Sequence, residues 1–280
     1  MIQLIADSGS TATDWALTSG NRTLQIVQTR GINPLHQDDK TITDIIDSEL
    51  LPVLTATPEQ LHFYGAGCIG GTVNDRLSSL LSDIFPHTGI TIESDLLGAA
   101  RSLCGRQQGI VGILGTGTNS CLYDGNAITE NVPPLGYILG DEGSGASLGK
   151  AFLCQLLRGK IDNQLTDSFY NEYQTDYRQL IHRIYREPAA NRFLASFSPF
   201  IARHIGHADI RRIISTTFKS FFENHIMQYD YRSSTVHLTG SIAYHFAPII
   251  RQTAAELGIN IGYIARRPIE GLIGYHISLQ

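Results

Sequence analysis

Three carboxylates in this chain stand where acid–base or metal chemistry could be performed. Asp7 opens a turn rich in small residues, whereas Asp95 and Asp141 each precede a predicted helix. A carboxylate can hold Mg²⁺ or accept a proton from a substrate hydroxyl, and phosphoryl transfer requires little more than positioning, a metal ion and a base. One of the latter two would then be the base while the other binds substrate. An ordinary helix N-cap is the alternative for both.

Two turns rich in Gly, Ser and Thr are candidates for a phosphate site. They cover residues 8–13 and 115–119, and each follows a short apolar run. Small residues let successive backbone N–H groups point at one anion, and threonine hydroxyls add donors. The pair could therefore hold the β- and γ-phosphates of ATP, with Mg²⁺ bound at Asp7 directly or through water. Either turn alone could also be an ordinary Asx turn or a tight hairpin entry.

The two turns belong to a pattern that recurs along the chain. Residues 19–21 and 124–126 both have the composition of hairpin turns, and they are separated by 105 positions, as are residues 10–11 and 115–116. A fixed offset between motifs is typical of an internal repeat. The sequence therefore predicts a duplicated α/β unit.

The predicted elements of the first unit follow the order β-β-β-α-β-α-β-α. Its strands are predicted at residues 2–6, 15–17, 24–27, 61–64 and 89–93. One helix is predicted to begin at Asp38 or Asp39, and two more are predicted at residues 72–81 and 96–103.

The second unit repeats this order and is longer. Its strands are predicted at residues 110–114, 121–123, 127–129, 236–239 and 260–264, with helices that include residues 143–157 and 242–257. Between its third and fourth strands lies a helical insertion of about residues 158–232, whose Tyr and Phe stripes indicate core or a subunit contact rather than a ligand platform. The predicted domains are residues 1–106 and 107–267, with the final helix, 268–280, able to pack back on the first.

The composition excludes several classes of protein. Lys and Arg number 21 against 26 Asp and Glu, which gives a formal net charge of −5, whereas holding a polyanion requires clustered cations. We therefore expect no nucleic-acid partner. The apolar start is interrupted at Asp7, and no stretch approaches the roughly 20 apolar residues of a membrane span, so neither a signal peptide nor a membrane partner is expected.

The cysteines give no sign of a metal or redox site. The four of them form no C-x-x-C pair, which argues against a zinc ribbon or a dithiol motif: Cys68, Cys104, Cys121 and Cys154. With no export signal in view, we expect reduced thiols in a cytoplasmic protein.

Two stretches imitate nucleotide-binding motifs. Residues 143–150 fail the P-loop pattern, which would need glycine at Ser144 and a hydroxyl residue at Ala151. Residues 65–70 fit G-x-G-x-x-G between a predicted strand and a helix, and Glu93 lies about where a ribose partner would be found. A dinucleotide site thus stays open here, beside close helix–sheet packing and a substrate loop.

Several segments resemble, in order, the N-acetylglucosamine kinase branch of the BadF/BadG/BcrA/BcrD ATPase family, part of the sugar kinase–Hsp70–actin superfamily. The segments are residues 7–15, 31–34, 94–95, 114–120, 139–144 and 238–242. The resemblance extends over nearly the whole chain. It implies an α/β protein of two ribonuclease-H-like, or actin-like ATPase, domains that bind ATP and Mg²⁺.

The resemblance also implies roles for individual residues. Asp95 would be the base that takes the proton of the sugar 6-hydroxyl, and Asp7 would bind Mg²⁺. The residues expected to bind ATP are Ser10, Thr11, Thr116, Gly117, Gly240 and Ser241. Those expected to bind the amino sugar are Asn33, Thr118, Asn119, Gly136 and Asp141. Such kinases are commonly homodimers, and the Tyr and Phe stripes could serve that contact.

The sequence departs from the family at two places. Ala12 stands where many relatives carry Lys or Arg, and residues 133–136 read Pro-Pro-Leu-Gly where relatives often show a Gly-Gly-Trp-Gly-like stretch. The expected function is an ATP-dependent kinase acting on the 6-hydroxyl of N-acetylglucosamine, with glucosamine as the nearest rival substrate. Two alternatives share this fold. One is a non-catalytic sugar or nucleotide sensor, which has no use for a base. The other is the ATPase activator of 2-hydroxyacyl-CoA dehydratases, whose Lys-Cys-Ala-Ala-Gly-Thr-Gly-like stretch is missing from the sequence.

Overall fold

The computed structural model describes residues 1–279, which divide into two compact units. The first unit comprises Met1–Gly109, Tyr123–Thr129 and the chain from Arg267 onward. The second comprises Ile110–Leu122 and Glu130–Arg266. No described helix is long and apolar enough to cross a membrane.

The first unit is built on a five-stranded sheet of order β3-β2-β1-β4-β5. Its strands are β1 (Ile2–Ser8), β2 (Ala12–Ser19), β3 (Arg22–Arg30), β4 (Gln60–Gly65) and β5 (Gly89–Ser94). Strands β1, β2 and β3 are antiparallel neighbours, whereas β4 and β5 run parallel to β1. The helices that precede or follow the parallel strands are α1 (Asp39–Ile45), α2 (Gly71–Ile84) and α3 (Asp95–Cys104).

Local sequence signals explain where these elements begin and end. Asp38 caps α1, because its carboxylate accepts a hydrogen bond from the Thr41 backbone N–H at 2.9 Å. The helix then continues through a π-helical turn, Ile46–Leu50, and a 3₁₀ turn, Leu51–Val53. The predicted hairpin turn between β2 and β3 is confirmed, with Gly20 at a φ of 53° that favours glycine.

The second unit repeats the topology of the first. Its sheet has the order β10-β9-β6-β7-β8, the same connectivity read from the other edge. Its strands are β6 (Gly109–Leu114), β7 (Thr118–Tyr123), β8 (Ile128–Val132), β9 (Val236–Thr239) and β10 (Ile261–Ala265). The predicted internal duplication and the β-β-β-α-β-α-β-α order are therefore confirmed.

The helices of the later part of the chain include the predicted insertion. In chain order they are α4 (Gly136–Leu139), α5 (Gly145–Leu156), α6 (Asn163–Tyr173), α7 (Tyr177–Arg186), α8 (Ala190–Ala195), α9 (Ser198–Arg203), α10 (Ala208–Asn224), α11 (Ser241–His245), α12 (Ala247–Glu256) and α13 (Ile269–Ile277). A 3₁₀ turn, Ile226–Gln228, follows α10.

The aromatic residues of the insertion differ in their exposure to solvent. Phe218, Phe221 and Phe222 on α10 are fully buried in the core of the second unit, so the expectation that the Phe stripe could form a subunit contact is wrong. Tyr177 and Tyr185 on α7 are 59% and 74% exposed. Tyr170 and Tyr173 are instead partly buried against the same core, so the exposed aromatic surface of this stretch is that of α7.

Both faces of the first sheet are covered. Leu4, Trp15 and Phe63 pack on one face together with α1 and α2. On the opposite face Ile5 packs against Leu272 of α13. Because successive residues of a strand point to opposite faces, a strand covered on both sides must be apolar throughout, as β1 is over most of its length.

Candidate active site

Asp7 lies at the carboxyl end of β1, where the strand register pairs it with Asp14 on β2 and with Tyr64 on β4. Directly opposed residues on neighbouring strands share a face, so the two carboxylates project from the same side of the sheet. Burial, together with the charges of Asp14 and Asp95, raises the pKa of the Asp7 carboxyl to about 8, against a lowering effect of Arg267. These surroundings disfavour an isolated negative charge on Asp7, and a nearby cation would stabilise the ionised carboxylate.

The second carboxylate of this pair is already compensated. Arg267 Nη1 donates to Asp14 Oδ1 at 2.9 Å, and Gln28 Nε2 donates to the same oxygen at 2.8 Å. Within residues 1–279 the Asp7 side chain has no ion pair of this kind. Asp7 is therefore the acid of the pair that is available to a metal ion.

Asp95 begins α3 but does not cap it. Ser94 is the N-cap, with its Oγ accepting from the Leu97 N–H at 3.2 Å, while Asp95 Oδ1 accepts from the adjacent Leu96 N–H at 2.8 Å. The alternative that Asp95 is the N-cap is therefore wrong, because the cap is the preceding residue, Ser94. Burial raises the pKa of the Asp95 carboxyl to about 6, against backbone hydrogen bonds that lower it. A carboxyl with that pKa is ionised at neutral pH and can still accept a proton in a transition state.

The first predicted phosphate turn is closed by a hydrogen bond from the Gly9 N–H to the Ala12 carbonyl at 3.0 Å. Two of its hydroxyls are turned inward. Ser8 and Thr13 are fully buried and share a hydrogen bond of 2.6 Å, and Ser8 Oγ also bonds both backbone groups of Ile32. The expectation that the threonine hydroxyls of this turn add donors for an anion is therefore wrong for Thr13.

The buried hydroxyls instead fix the chain next to Asn33. Asn33 lies directly after Ile32, and its Oδ1 accepts from the Leu35 N–H at 3.0 Å. The tip of the turn, with Ser10 partly exposed and Thr11 exposed, remains accessible. The structure thus brings Asn33 and the tip of the first turn into one part of the first unit.

The G-x-G-x-x-G stretch serves packing in the first unit. Gly67 has a φ of +84°, and a Cβ there would come within 2.1 Å of Asn33 Oδ1. A Cβ at Gly65 would come within 2.5 Å of the Phe63 ring. Both glycines are therefore required by protein neighbours, which favours the packing and substrate-loop interpretations over a dinucleotide site.

The second predicted phosphate turn connects β6 and β7. It is closed by a hydrogen bond from Gly115 N–H to the Gly117 carbonyl at 3.0 Å. The carbonyls of Gly115 and Thr116 accept from Gly145 and Ala146 at 2.8 and 3.2 Å. These bonds satisfy N–H groups that the start of α5 would otherwise leave unpaired, and they tie the turn to that helix.

Gly240 and Ser241 lie at the same edge of the second sheet as this turn. Strands β6 and β9 are parallel neighbours, so their carboxyl ends meet. Gly240 has a φ of +109°, and a Cβ there would come within 2.3 Å of the Leu114 carbonyl oxygen. Ser241, the first residue of α11, is exposed. The expected ATP-binding residues of the second unit are therefore brought together.

Asp141 lies in a turn that is bound to the start of β7. Its Oδ1 accepts from the Thr118 N–H at 3.2 Å, and Thr118 Oγ1 donates to the Glu142 carbonyl at 2.8 Å. Burial raises the pKa of the Asp141 carboxyl, against the Thr118 hydrogen bond that lowers it. Ser144 caps α5, with its Oγ accepting from the Ser147 N–H at 3.1 Å, so the N-cap alternative is wrong for Asp141 as well.

Asn119 follows Thr118 on β7 and is oriented by its neighbours. Its Oδ1 accepts from the Ser120 N–H at 2.9 Å and from Asn131 Nδ2 at 3.0 Å. Tyr229 fixes the same strands, because its hydroxyl bonds Ser120 Oγ at 2.9 Å and accepts from the Val132 N–H at 2.8 Å. With its oxygen engaged twice, Asn119 has its amide N–H groups left to donate.

Gly136 occupies a different kind of position. It is exposed, begins the short helix α4 with a φ of +71°, and its carbonyl accepts from Gly140 N–H at 2.8 Å. This hydrogen bond places Gly136 one helical turn before Gly140, the residue that precedes Asp141.

Sequence reasoning missed four residues that lie next to the candidate carboxylates of the two units or bind such neighbours. Asp14 could have been found, because the tight turn after β1 fixes the register that sets it opposite Asp7. Nothing in the sequence pairs Arg267 with Asp14, or His225 with Glu142, because these partners are 253 and 83 residues apart. Such pairs come from tertiary folding alone.

The Asp7 carboxylate is compatible with the Mg²⁺ that the sequence analysis leads us to expect. No group of three or more His, Cys, Asp or Glu side chains among residues 1–279 could hold a metal ion. Mg²⁺ is usually bound through one or two carboxylates, with waters and substrate phosphates completing its shell. A single available carboxylate at Asp7 fits that requirement.

The chain is similar to several solved structures. A candidate N-acetylglucosamine kinase from Porphyromonas gingivalis is 42% identical, with a TM-score of 0.95 over 98% of each chain. A candidate N-acetylglucosamine kinase from Chromobacterium violaceum is 17% identical, with a TM-score of 0.75 over 98% of each chain. A ROK-family glucokinase from Streptomyces griseus, in complex with glucose and AMPPNP, is 14% identical, with a TM-score of 0.62 over 98% of each chain.

These similarities carry different weight. The Porphyromonas gingivalis protein is similar in sequence along nearly its whole length, whereas the other two share the fold alone. No family model and no curated protein matches this chain. Together with two duplicated sheets of one topology, the similarity identifies the architecture as that of the sugar kinase–Hsp70–actin fold.

Proposed function

The chain belongs to the N-acetylglucosamine kinase branch of the BadF/BadG/BcrA/BcrD ATPase family, and on that basis we propose that it transfers the γ-phosphoryl group of ATP to the 6-hydroxyl of N-acetylglucosamine. The observation that carries the proposal is the 42% identity over 98% of the chain to a protein described as a candidate N-acetylglucosamine kinase. The chain is accordingly an ATP-dependent amino-sugar kinase, and the specific sugar and hydroxyl are the finer part of the proposal.

In this mechanism Asp95 is the general base. Its pKa of about 6 leaves the carboxylate ionised at neutral pH, and it would take the proton of the sugar 6-hydroxyl as the oxygen attacks the γ-phosphorus. Its position at the start of α3, with the Ser94 cap beside it, keeps the side chain in one place. In-line phosphoryl transfer depends mainly on such positioning.

Two groups of residues would hold ATP. Ser10 and Thr11 are accessible at the tip of the first turn, and backbone and hydroxyl donors there suit phosphate oxygens. Thr116 and Gly117 offer the same chemistry in the second turn, and Gly240 with Ser241 would lie beside the adenosine. Asp7 would hold Mg²⁺, which neutralises phosphate charge when bound.

The amino sugar would be bound by polar groups with fixed orientations. Asn119, with its oxygen engaged, would donate to a sugar oxygen, while Asp141 would accept from sugar hydroxyls. Asn33 and Thr118 would add further hydrogen bonds, and Gly136 would admit the ligand near α4. We also propose a cytoplasmic location and a homodimer. The exposed tyrosines of α7 support the dimer, whereas the buried phenylalanines of α10 do not.

The test is steady-state ADP release with Mg-ATP against N-acetylglucosamine, glucosamine, N-acetylmannosamine and glucose. We expect strong turnover on N-acetylglucosamine that Asp95→Asn lowers by about 10²-fold or more while sugar binding is kept, as for loss of a general base. Asp75→Asn, at an exposed position on α2, is the matched control and should turn over normally.

Each of the other possible results would support a different substrate, function or catalytic base. Preference for glucosamine would change the substrate but keep the mechanism. Silence on every sugar with ATP still bound would indicate the sensor, and a coloured, iron-containing protein would indicate the dehydratase activator. Normal turnover by Asp95→Asn would make Asp141 the candidate base.

A further inference from the structure

The end of α10 contacts the turn that carries Asp141. His225 Nε2 lies 3.3 Å from Glu142 Oε2, and Phe221 packs so closely on Gly143 that a Cβ there would come within 2.7 Å of it. His225 is only 4% exposed, and its Nδ1 is buried with no hydrogen-bond partner in the described chain. The Glu142 contact is therefore the polar interaction that fixes this ring.

Both the backbone and the side chain of Glu142 are hydrogen-bonded. Its carbonyl accepts from Thr118 Oγ1 at 2.8 Å, and its carboxylate is bound by His225 and, at 3.3 Å, by Asn224 Nδ2. His225 lies directly after the 17-residue helix α10, so the helix determines where the ring meets Glu142.

The residue before Glu142 has an unfavourable backbone conformation. Asp141 has a φ of +59°, in the left-handed region that non-glycine residues rarely adopt. Such a conformation persists only when surrounding contacts determine it. The contacts on Glu142 supply that constraint, because they fix the peptide that follows Asp141.

We propose that His225 is a positioning residue for the amino sugar: through Glu142 it holds Asp141 in the conformation in which its carboxylate meets the Thr118 N–H. This inference rests on the proposed function, in which Asp141 and Thr118 bind the sugar. A helix of the insertion thereby supports the substrate site, although it supplies no residue to substrate. Without His225, Asp141 can relax toward a right-handed backbone, and its carboxylate leaves Thr118.

The experiment compares His225→Leu with His225→Gln, using N-acetylglucosamine and Mg-ATP. We expect His225→Leu to raise KM for N-acetylglucosamine about tenfold or more and to change KM for ATP less than about twofold, since displacing a substrate-positioning group by about 1 Å is costly and Asp141 is assigned to the sugar rather than to ATP. His225→Gln should recover most of the loss, because a glutamine amide can donate to Glu142.

Two further variants separate positioning from general destabilisation. Glu142→Ala acts at a side chain that is 27% exposed, and the double variant with His225→Leu should be no worse than either single one if the two act through one contact. Glu223→Gln, an exposed carboxylate on the same helix, should behave as wild type. Additive losses, equal rises in both KM values, or a glutamine variant no better than leucine would overturn the proposal.

Amide hydrogen exchange keeps the proposal separate from the kinase activity. If the wild-type protein turns over no amino sugar, the proposed function fails, but the contact can still be judged at the Thr118 amide that Asp141 holds. Faster exchange of that amide in His225→Leu than in His225→Gln supports the positioning role. Equal exchange in the two variants contradicts it.

Discussion

At the scale of single residues, charge compensation decides which of two opposed carboxylates is available for chemistry. Asp14 is bonded to Arg267 and Gln28, whereas the equally placed Asp7 has a pKa raised to about 8 by burial and neighbouring acids. A cation at Asp7 would remove that penalty. The same sheet edge carries Asp95, whose pKa of about 6 suits a base. In the proposed mechanism, the metal ligand and the base are thus distinguished by their surroundings and not by residue type.

The raised pKa of Asp95 predicts the acid limb of the pH–rate profile. Because the base must be ionised, kcat/KM for N-acetylglucosamine at saturating Mg²⁺ should fall about tenfold per pH unit below an inflection near pH 6. The residual activity of Asp95→Asn should lack that inflection. An inflection near the ordinary aspartate value of 3.8 would contradict the assignment.

At the scale of elements, the ends of strands and helices locate the candidate residues. Caps at Ser94 and Ser144 start α3 and α5, which leaves the neighbouring Asp95 and Asp141 free of the capping role that the sequence allowed them. Glycines are required at positions where two backbone segments approach each other closely. Gly240 faces the Leu114 carbonyl at a distance that excludes any side chain.

A pair of glycine substitutions tests the close approach at Gly240. Gly240→Ala combines a φ of +109° with a Cβ 2.3 Å from the Leu114 oxygen, so it should cost about 2 kcal/mol or more of unfolding free energy and raise KM for ATP. Gly274→Ala, in α13 with no atom within 4 Å of the added Cβ, should stabilise by roughly 0.5–1 kcal/mol. Urea unfolding and ATP kinetics measure both effects. Equal stability of the two variants would show that Leu114 does not constrain this position.

At the scale of the whole molecule, the chain is a duplicated unit whose first copy is completed by the last helix. Ile269 and Leu272 of α13 pack on Ile5 and Tyr64. The Tyr64 hydroxyl bonds His276 Nε2 at 2.9 Å across 212 residues of sequence. The first unit therefore needs the end of the chain to cover one face of its sheet.

This dependence predicts a strong effect of a distant core substitution. Leu272→Ala removes a fully buried side chain and should lower the unfolding free energy by about 2–5 kcal/mol. Leu279→Ala, at a side chain that is 48% exposed, should change it by less than about 0.5 kcal/mol. Thermal unfolding followed by circular dichroism compares them. A Leu272→Ala protein as stable as wild type would mean that α13 is not part of the first core.

Local patterns in the sequence were enough to predict the repeated topology and the two turns, and they selected three carboxylates as candidate site residues. Strand alternation and turn composition are short-range properties that can be read within a few tens of residues, and the offset of 105 positions between the motifs can be counted along the sequence. Tertiary structure alone decided that Ser8 and Thr13 turn inward, that Arg267 compensates Asp14, and that His225 reaches Glu142. These outcomes depend on contacts between distant segments, whose geometry is fixed only when the sheets and helices pack.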